Sequence, residues 1–278
     1  MKLLKQIWHK NLKQPFRLVY TSYPGHKEPV VLLHGIASNK EFWQPLATLL
    51  SQQGHIVIVP DLLGHGGSPT PDYIRYSTGD QARSVVALLN KLNIKRYALV
   101  GHSMGALVAS RVAAMRPEKV AKLVLFEPPL FADIPEFRSY QKRRQFYFDI
   151  YERIAQNPKR GLSMTKLVAK VSDNWTKYLV SDQAWLPIER SLRNTIMSQT
   201  SYEELSDTAI ETDIVHGRFD VAVSSVGLKK MLAHNPNIRF HKTTERHNIS
   251  KLSATFLANL ILGDVNVKKR RNHASNLE

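Results

Sequence analysis

Five residues of this 278-residue chain, Gly101-His102-Ser103-Met104-Gly105, have a spacing that suits nucleophilic catalysis. The apolar run Tyr97 to Val100 precedes them and an Ala- and Val-rich stretch beginning near Met104 follows, so the pattern reads strand, sharp turn, helix. A serine hydroxyl is a poor nucleophile unless it stands proud of the sheet, near a base and at a helix N-terminus. Glycines two residues to either side of Ser103 leave room for a strained backbone that larger side chains would obstruct. A bare G-x-S-x-G recurs by chance; the flanking strand and helix give this one its weight.

Such a nucleophile needs three kinds of help. The strand expected at Val30 to Leu33 ends in His34-Gly35-Ile36-Ala37-Ser38, and the backbone N–H of Ile36 could join that of Met104 in binding an oxyanion. Strand Ile214 to His216 runs into Gly217-Arg218-Phe219-Asp220, which sets Asp220 at a strand's carboxyl end, the edge where ligands collect in doubly wound sheets. After the strand-like Ile238 to His241 comes Arg246-His247-Asn248. His247 is the expected base and Asp220 the acid that holds its tautomer. Glu127, ending the strand Leu123 to Phe126, competes for the role of acid, and His241 and His234 are weaker candidates for the base. The loop Asp61 to Ser68 lacks the Lys-Ser/Thr ending of a phosphate-binding loop, so Asp61 is expected to tie down its own loop amides, with His65 a lone loop histidine.

The elements that must position these groups are legible as short β-branched runs, the five named above and Ile56 to Val59. They alternate with amphipathic stretches at Phe42 to Gln53, Thr78 to Leu92, Met104 to Met115 and Val226 to Ala233. The fold class is α/β, doubly wound and mostly parallel. Residues 1–129 and 207–263 form its core. Between them, 130–206 shows no convincing strand and many aromatics, and reads as a helical cap over the sheet edge. Trp175 and Trp185 of this cap, with His102 beside the nucleophile, are the expected substrate contacts, while Trp43 is assigned to the core. Residues 264–278 form a basic tail with Lys268, Lys269, Arg270 and Arg271.

Composition sets outer limits. Absence of cysteine excludes disulfides, zinc–thiolate sites and cysteine nucleophiles, and no metal site is expected. No stretch approaches the ~20 apolar residues of a membrane span. Met1 to Arg17 interleaves lysines with apolar residues, unlike a secretion signal, so the cytoplasm is the expected compartment. The net charge of +16 draws anions without naming a partner. Specific nucleic-acid binding would rest on that charge alone.

Together, His34-Gly35, Asp61 to Ser68, Gly101 to Gly105, Gly217 to Asp220 and His247 resemble the α/β-hydrolase superfamily, in particular its lid-bearing, esterase-like members, over Phe16 to Leu262. The resemblance implies an eight-stranded sheet, a helical cap after the sixth strand, no cofactor, and hydrolysis of a small-molecule ester through an acyl-enzyme. Dehalogenase and epoxide hydrolase members carry an aspartate at the elbow, where this chain has Ser103. Arg246 departs from the glycine often found before the family's catalytic histidine. Cleavage of a carbon–carbon bond in a diketone-like acid by the same triad, and a non-catalytic binder of the same fold, are the alternatives. Substrate and oligomeric state are not written in these motifs.

Overall fold

The computed structural model describes residues 2–12, 14–130, 185–217, 225–243 and 249–263, with a few positions between 145 and 156. Seven strands form one sheet: β1 (Tyr20–Tyr23), β2 (Lys27–Leu33), β3 (His55–Pro60), β4 (Tyr97–His102), β5 (Val120–Phe126), β6 (Thr212–Gly217) and β7 (Ile238–Thr243). Their order is β1-β3-β2-β4-β5-β6-β7; β1 runs antiparallel to β3, and every other pairing is parallel. The sheet is doubly wound and mostly parallel, as expected. It has seven strands among the described residues rather than eight. Ahead of β1 the chain is helical over Lys2–Asn11 and irregular from Gln14 to Val19, so it adds no further edge strand there.

Parallel strands need crossovers, and the helices supply them on both faces. After α1 (Lys2–Gln6) come α2 (Gln44–Gln52), α3 (Thr78–Lys91), α4 (Met104–Met115), α5 (Trp185–Ser191), α6 (Ser201–Ser206), α7 (Ser225–His234) and α8 (Lys251–Leu262). The period-2 alternation of the strands sorts the core into two halves. Val30, Leu32, Ala98, Val100, Val124 and Phe126 pack with α2 and α8 on one face. Val31, Leu33, Leu99, Leu123 and Leu125 pack with α3 and α4 on the other. Trp43 is fully buried in the first half, as expected of a core residue. The described part of 185–206 is helical and leans on the second half through Trp185, Ile188, Leu192 and Ile196.

Local signals set the helix ends. Ser77 caps α3, its Oγ accepting from the Asp80 N–H (3.2 Å) while the Asp80 carboxylate accepts from the Ser77 N–H (3.0 Å). Gly263 ends α8 at φ 71°, the left-handed conformation that glycine adopts without a side-chain clash. Ser77→Ala is expected to lower stability by about 1 kcal/mol, read as a fall in the urea midpoint without a change in slope. An unchanged midpoint would show that packing alone holds the start of α3.

Candidate active site

β4 ends at His102 and α4 starts at Met104, so Ser103 alone makes the turn between them. Its N–H still belongs to the sheet, donating to the Phe126 carbonyl (3.0 Å), while its own carbonyl already accepts from the Ala106 N–H (2.9 Å). One residue can serve both only in an unusual conformation, and Ser103 lies at φ 51°, ψ −121°. A non-glycine residue there is strained by about 1–3 kcal/mol, strain that clusters at functional sites.

The flanking glycines are required by contact distance. A Cβ on Gly105 would lie 2.3 Å from the Leu33 carbonyl oxygen and 2.4 Å from that of His34. One on Gly101 would lie 2.4 Å from the Gly105 carbonyl oxygen. Gly35 is the third, since a Cβ there would meet the Ser103 Cβ at 3.1 Å and the His102 Nδ1 at 3.1 Å. The turn after β2 therefore lies directly against Ser103, which brings the Ile36 segment beside the first turn of α4. Met104, as the first helical residue, has an N–H outside the intrahelical ladder. The helix N-terminus adds a positive partial charge where negative charge would develop.

The remaining candidates fall in different places. His102 is 1% exposed, its ring stacked on Phe42 (centroids 4.4 Å apart) and near Phe126 (5.4 Å), so it packs beneath the elbow. Trp185 is 8% exposed within the core. Asp220, His247 and Trp175 lie outside the described residues. Glu127 is fully buried at the end of β5, at φ 50°, its carboxyl oxygens accepting from the Gly217 N–H (2.7 Å) and facing His216 Nδ1 (3.1 Å). His241 is held by the buried Asp213, Nε2 to Oδ1 at 2.7 Å.

A fold of this kind, with a serine at such a turn, can be compared with known proteins. The profile described as "alpha/beta hydrolase fold" matches residues 28–232. This chain belongs to the α/β-hydrolase family. It is 40% identical over 102 residues to "Putative carbamate hydrolase RutD" of Variovorax paradoxus (strain S110), covering 37% of this chain and 38% of that protein. To the monoacylglycerol lipase ABHD6 of Homo sapiens it is 36% identical over 107 residues, 38% of this chain and 32% of the relative. The matches thus span well under half the length of these curated relatives. Among solved structures, the esterase EaEST from Exiguobacterium antarcticum superposes with a TM-score of 0.72 at 18% identity, covering 89% of this chain and 94% of that one, a likeness of fold.

In this family member the loop from Asp61 to Tyr76 braces the turn after β2. His34, fully buried, donates from Nδ1 to the Gly35 carbonyl (2.7 Å) and accepts at Nε2 from the Leu62 N–H (2.9 Å), which fixes its tautomer. Asp61 ties down loop amides as expected, accepting from the Gly67 N–H (2.9 Å), and it reaches the neighbouring segment through the Lys40 N–H (2.8 Å) and Nζ (3.1 Å). Gln81 clamps both backbone groups of Leu63 at 2.8 Å each. From the helical stretch 185–196, Arg190 donates to the Asp72 and Ile74 carbonyls and Thr195 to that of Tyr76. Apart from His34 with Gly35 and Asp61 with Gly67, these partners are far apart in sequence, so no local motif announces them. Among the described residues no cluster of His, Asp and Glu is suited to a metal ion.

Burial makes the charged forms of two imidazoles costly. It lowers His34 from 6.5 to about 4, and lowers His65 to about 3 with help from the neighbouring His34. Both are neutral in the folded state and take up protons more readily when unfolded. Their contribution to stability is therefore complete above about pH 6.5 and is lost as pH falls toward 4 and then 3. Urea midpoints are expected to fall steadily from pH 7 to pH 4, and less steeply for His34→Gln, which cannot titrate. Parallel profiles would assign the acid sensitivity to other groups.

Proposed function

We propose that this protein is a serine hydrolase cleaving a small to medium carboxylic ester through an acyl-enzyme, with Ser103 as nucleophile, His247 as base and Asp220 as acid. The observation that carries the reading is the strained conformation of Ser103 between β4 and α4, with glycines where any Cβ would collide. In this scheme Ser103 Oγ attacks the ester carbonyl as His247 takes its proton. The N–H groups of Met104 and Ile36 receive the charge that develops on the carbonyl oxygen, a stabilisation of several kcal/mol. The imidazolium then returns the proton to the departing alcohol, and water repeats the sequence on the acyl group. Asp220 holds the imidazole tautomer. The scheme uses no metal or cofactor. Lipase and esterase relatives support ester chemistry, and the carbamate hydrolase name shows how little the carbonyl's other substituent is fixed by family membership. Trp175 and Trp185 are assigned to the cap side of the substrate; His102, packed under Ser103, is assigned to shaping the floor.

Chromogenic esters of increasing acyl length test this directly. Ser103→Ala is expected to lower kcat/KM by about 10⁴-fold or more and to abolish labelling by a fluorophosphonate. Equal background rates for wild type and variant on every ester would end the proposal.

One observation keeps a second acid in view. Glu127 is buried at the end of the strand adjoining β4, next to the residue whose carbonyl binds the Ser103 amide. With Asp220 as the acid, Asp220→Asn is expected to cost about 10⁴-fold in kcat, while Glu127→Gln costs far less. The reverse ranking, measured on folded variants, would transfer the role to Glu127.

A further inference from the structure

Among the described residues, the exposed large apolar side chains are, with one exception, gathered in one place. Among the described residues all but Leu252 lie between Leu3 and Tyr20; Leu3 and Leu4 are 70% and 71% exposed, Trp8 55% and Leu12 56%. Scattered apolar residues on a surface are ordinary, whereas a run of them on one helical segment asks for a cover. The segment is not loose. His9 stacks on Phe16 with ring centroids 3.7 Å apart and planes at 17°, and its Nδ1 pairs with the Gln14 carbonyl (2.8 Å). His9 thus joins the helical stretch to Phe16, which is buried in the core and whose N–H donates to Ser84 Oγ (3.3 Å), while Leu3 and Leu4 stay exposed, the inverse of a helix packed on its own core.

Charge narrows the choice of cover. Residues 1–27 contain Lys2, Lys5, Lys10, Lys13, Arg17 and Lys27, and no Asp or Glu precedes Glu28. A second copy would bring the same cations face to face, whereas a surface of phosphates over hydrocarbon satisfies both features at once. A groove of about 520 Å³ opens between this segment and residues 69–73, lined by Trp8, Phe16 and Tyr73 with Lys5 and Arg17, aromatic and basic as a headgroup site requires. The pairing of Tyr20 with Pro60 brings the segment out at the carboxyl edge of the parallel strands, the edge on which Ser103 turns.

We propose that residues 2–20 are an interfacial anchor that seats this protein on an anionic lipid bilayer, Leu3, Leu4 and Trp8 entering the boundary between headgroups and acyl chains and Lys5 and Arg17 pairing with lipid phosphates. No described helix is long and apolar enough to cross a membrane, and the anchor lies on the surface. Neither element suffices alone, since stable attachment takes apolar insertion together with basic charge. Seating at this edge orients the loop Pro69–Tyr73, and the cap helix α5 that bonds to it through Arg190, toward the lipid.

Flotation of the full chain with vesicles tests the proposal independently of any esterase activity. The protein is expected to float with vesicles containing phosphatidylglycerol and to stay behind with pure phosphatidylcholine, and added salt should weaken the attachment. Leu3→Glu with Leu4→Glu is expected to lose at least about tenfold in vesicle affinity, and Lys5→Gln roughly fivefold, with thermal unfolding unchanged because the altered side chains are exposed. Quenching of Trp8 emission by brominated acyl chains, read against Trp8→Phe, gives a second measurement of depth. Three results would overturn the proposal: wild type that ignores anionic vesicles; a double-Glu variant that floats as well as wild type, which moves the attachment to other basic residues; and a wild-type dimer in light scattering that the double-Glu variant dissolves without lipid, which makes a second copy the occupant.

Discussion

The contact on which the site depends is between two stretches of bare backbone. The first turn of α4 lies so close to the end of β2 that a single methyl group on Gly105 would overlap the carbonyl oxygens of Leu33 and His34. With no side chain to separate them, β4 must reverse into a helix within one residue, and that residue is forced to φ 51°. The strain persists because its surroundings leave no alternative. β4 is the middle strand of seven, bonded on both sides, and α4 is buried nearly all round from Met104 to Ala113. Relaxing Ser103 would cost a ladder hydrogen bond to Phe126 and the packing of a whole helix.

That reversal has consequences for the loops around it. The chain leaving β2 must turn at Gly35 under the same crowding, and the buried polar groups of that turn need partners that water cannot reach. His34 meets the need by bonding to its own loop on one side and to Leu62 on the other. The loop after β3 is in turn fixed by Asp61, Gln81, Arg190 and Thr195. A rigid elbow thus organises its neighbours outward through hydrogen bonds to main-chain atoms, which is why few of the supporting residues carry a recognisable motif.

What the sequence discloses follows from how each feature is encoded. β2, β4, β5 and β6 are covered on both faces, so burial demands continuous apolar, β-branched runs that can be read directly. β1, Tyr-Thr-Ser-Tyr, alternates between exposed and half-buried, and only its pairing with β3 makes it a strand. α8 is apolar at most positions yet shows no clear stripe, and its place against α2 came only with the structure. The elbow is legible because steric need selects glycine at fixed spacing. Gln81 with Leu63, and His34 with Leu62, meet across 18 and 28 residues, and no local pattern encodes such pairs. The count of eight strands came from likeness to a family; among the described residues the sheet has seven.

Backbone strain locates the same edge without reference to any motif. Ser103 and Glu127 follow directly after the ends of two neighbouring strands, β4 and β5, and both leave the sheet through positive φ values that side chains disfavour. They are joined through one peptide unit, since the Ser103 N–H bonds to the carbonyl of Phe126, the residue just before Glu127. Two adjacent strained exits raise the cost of this edge. What the second exit does achieve is to turn the Glu127 carboxyl back over the sheet end to the Gly217 N–H, tying the end of β5 to the end of β6. The elbow is thereby held from both flanks, by the turn after β2 on one side and by this carboxyl bridge on the other. A hydroxyl that must meet its partners within a fraction of an ångström needs a frame of that stiffness.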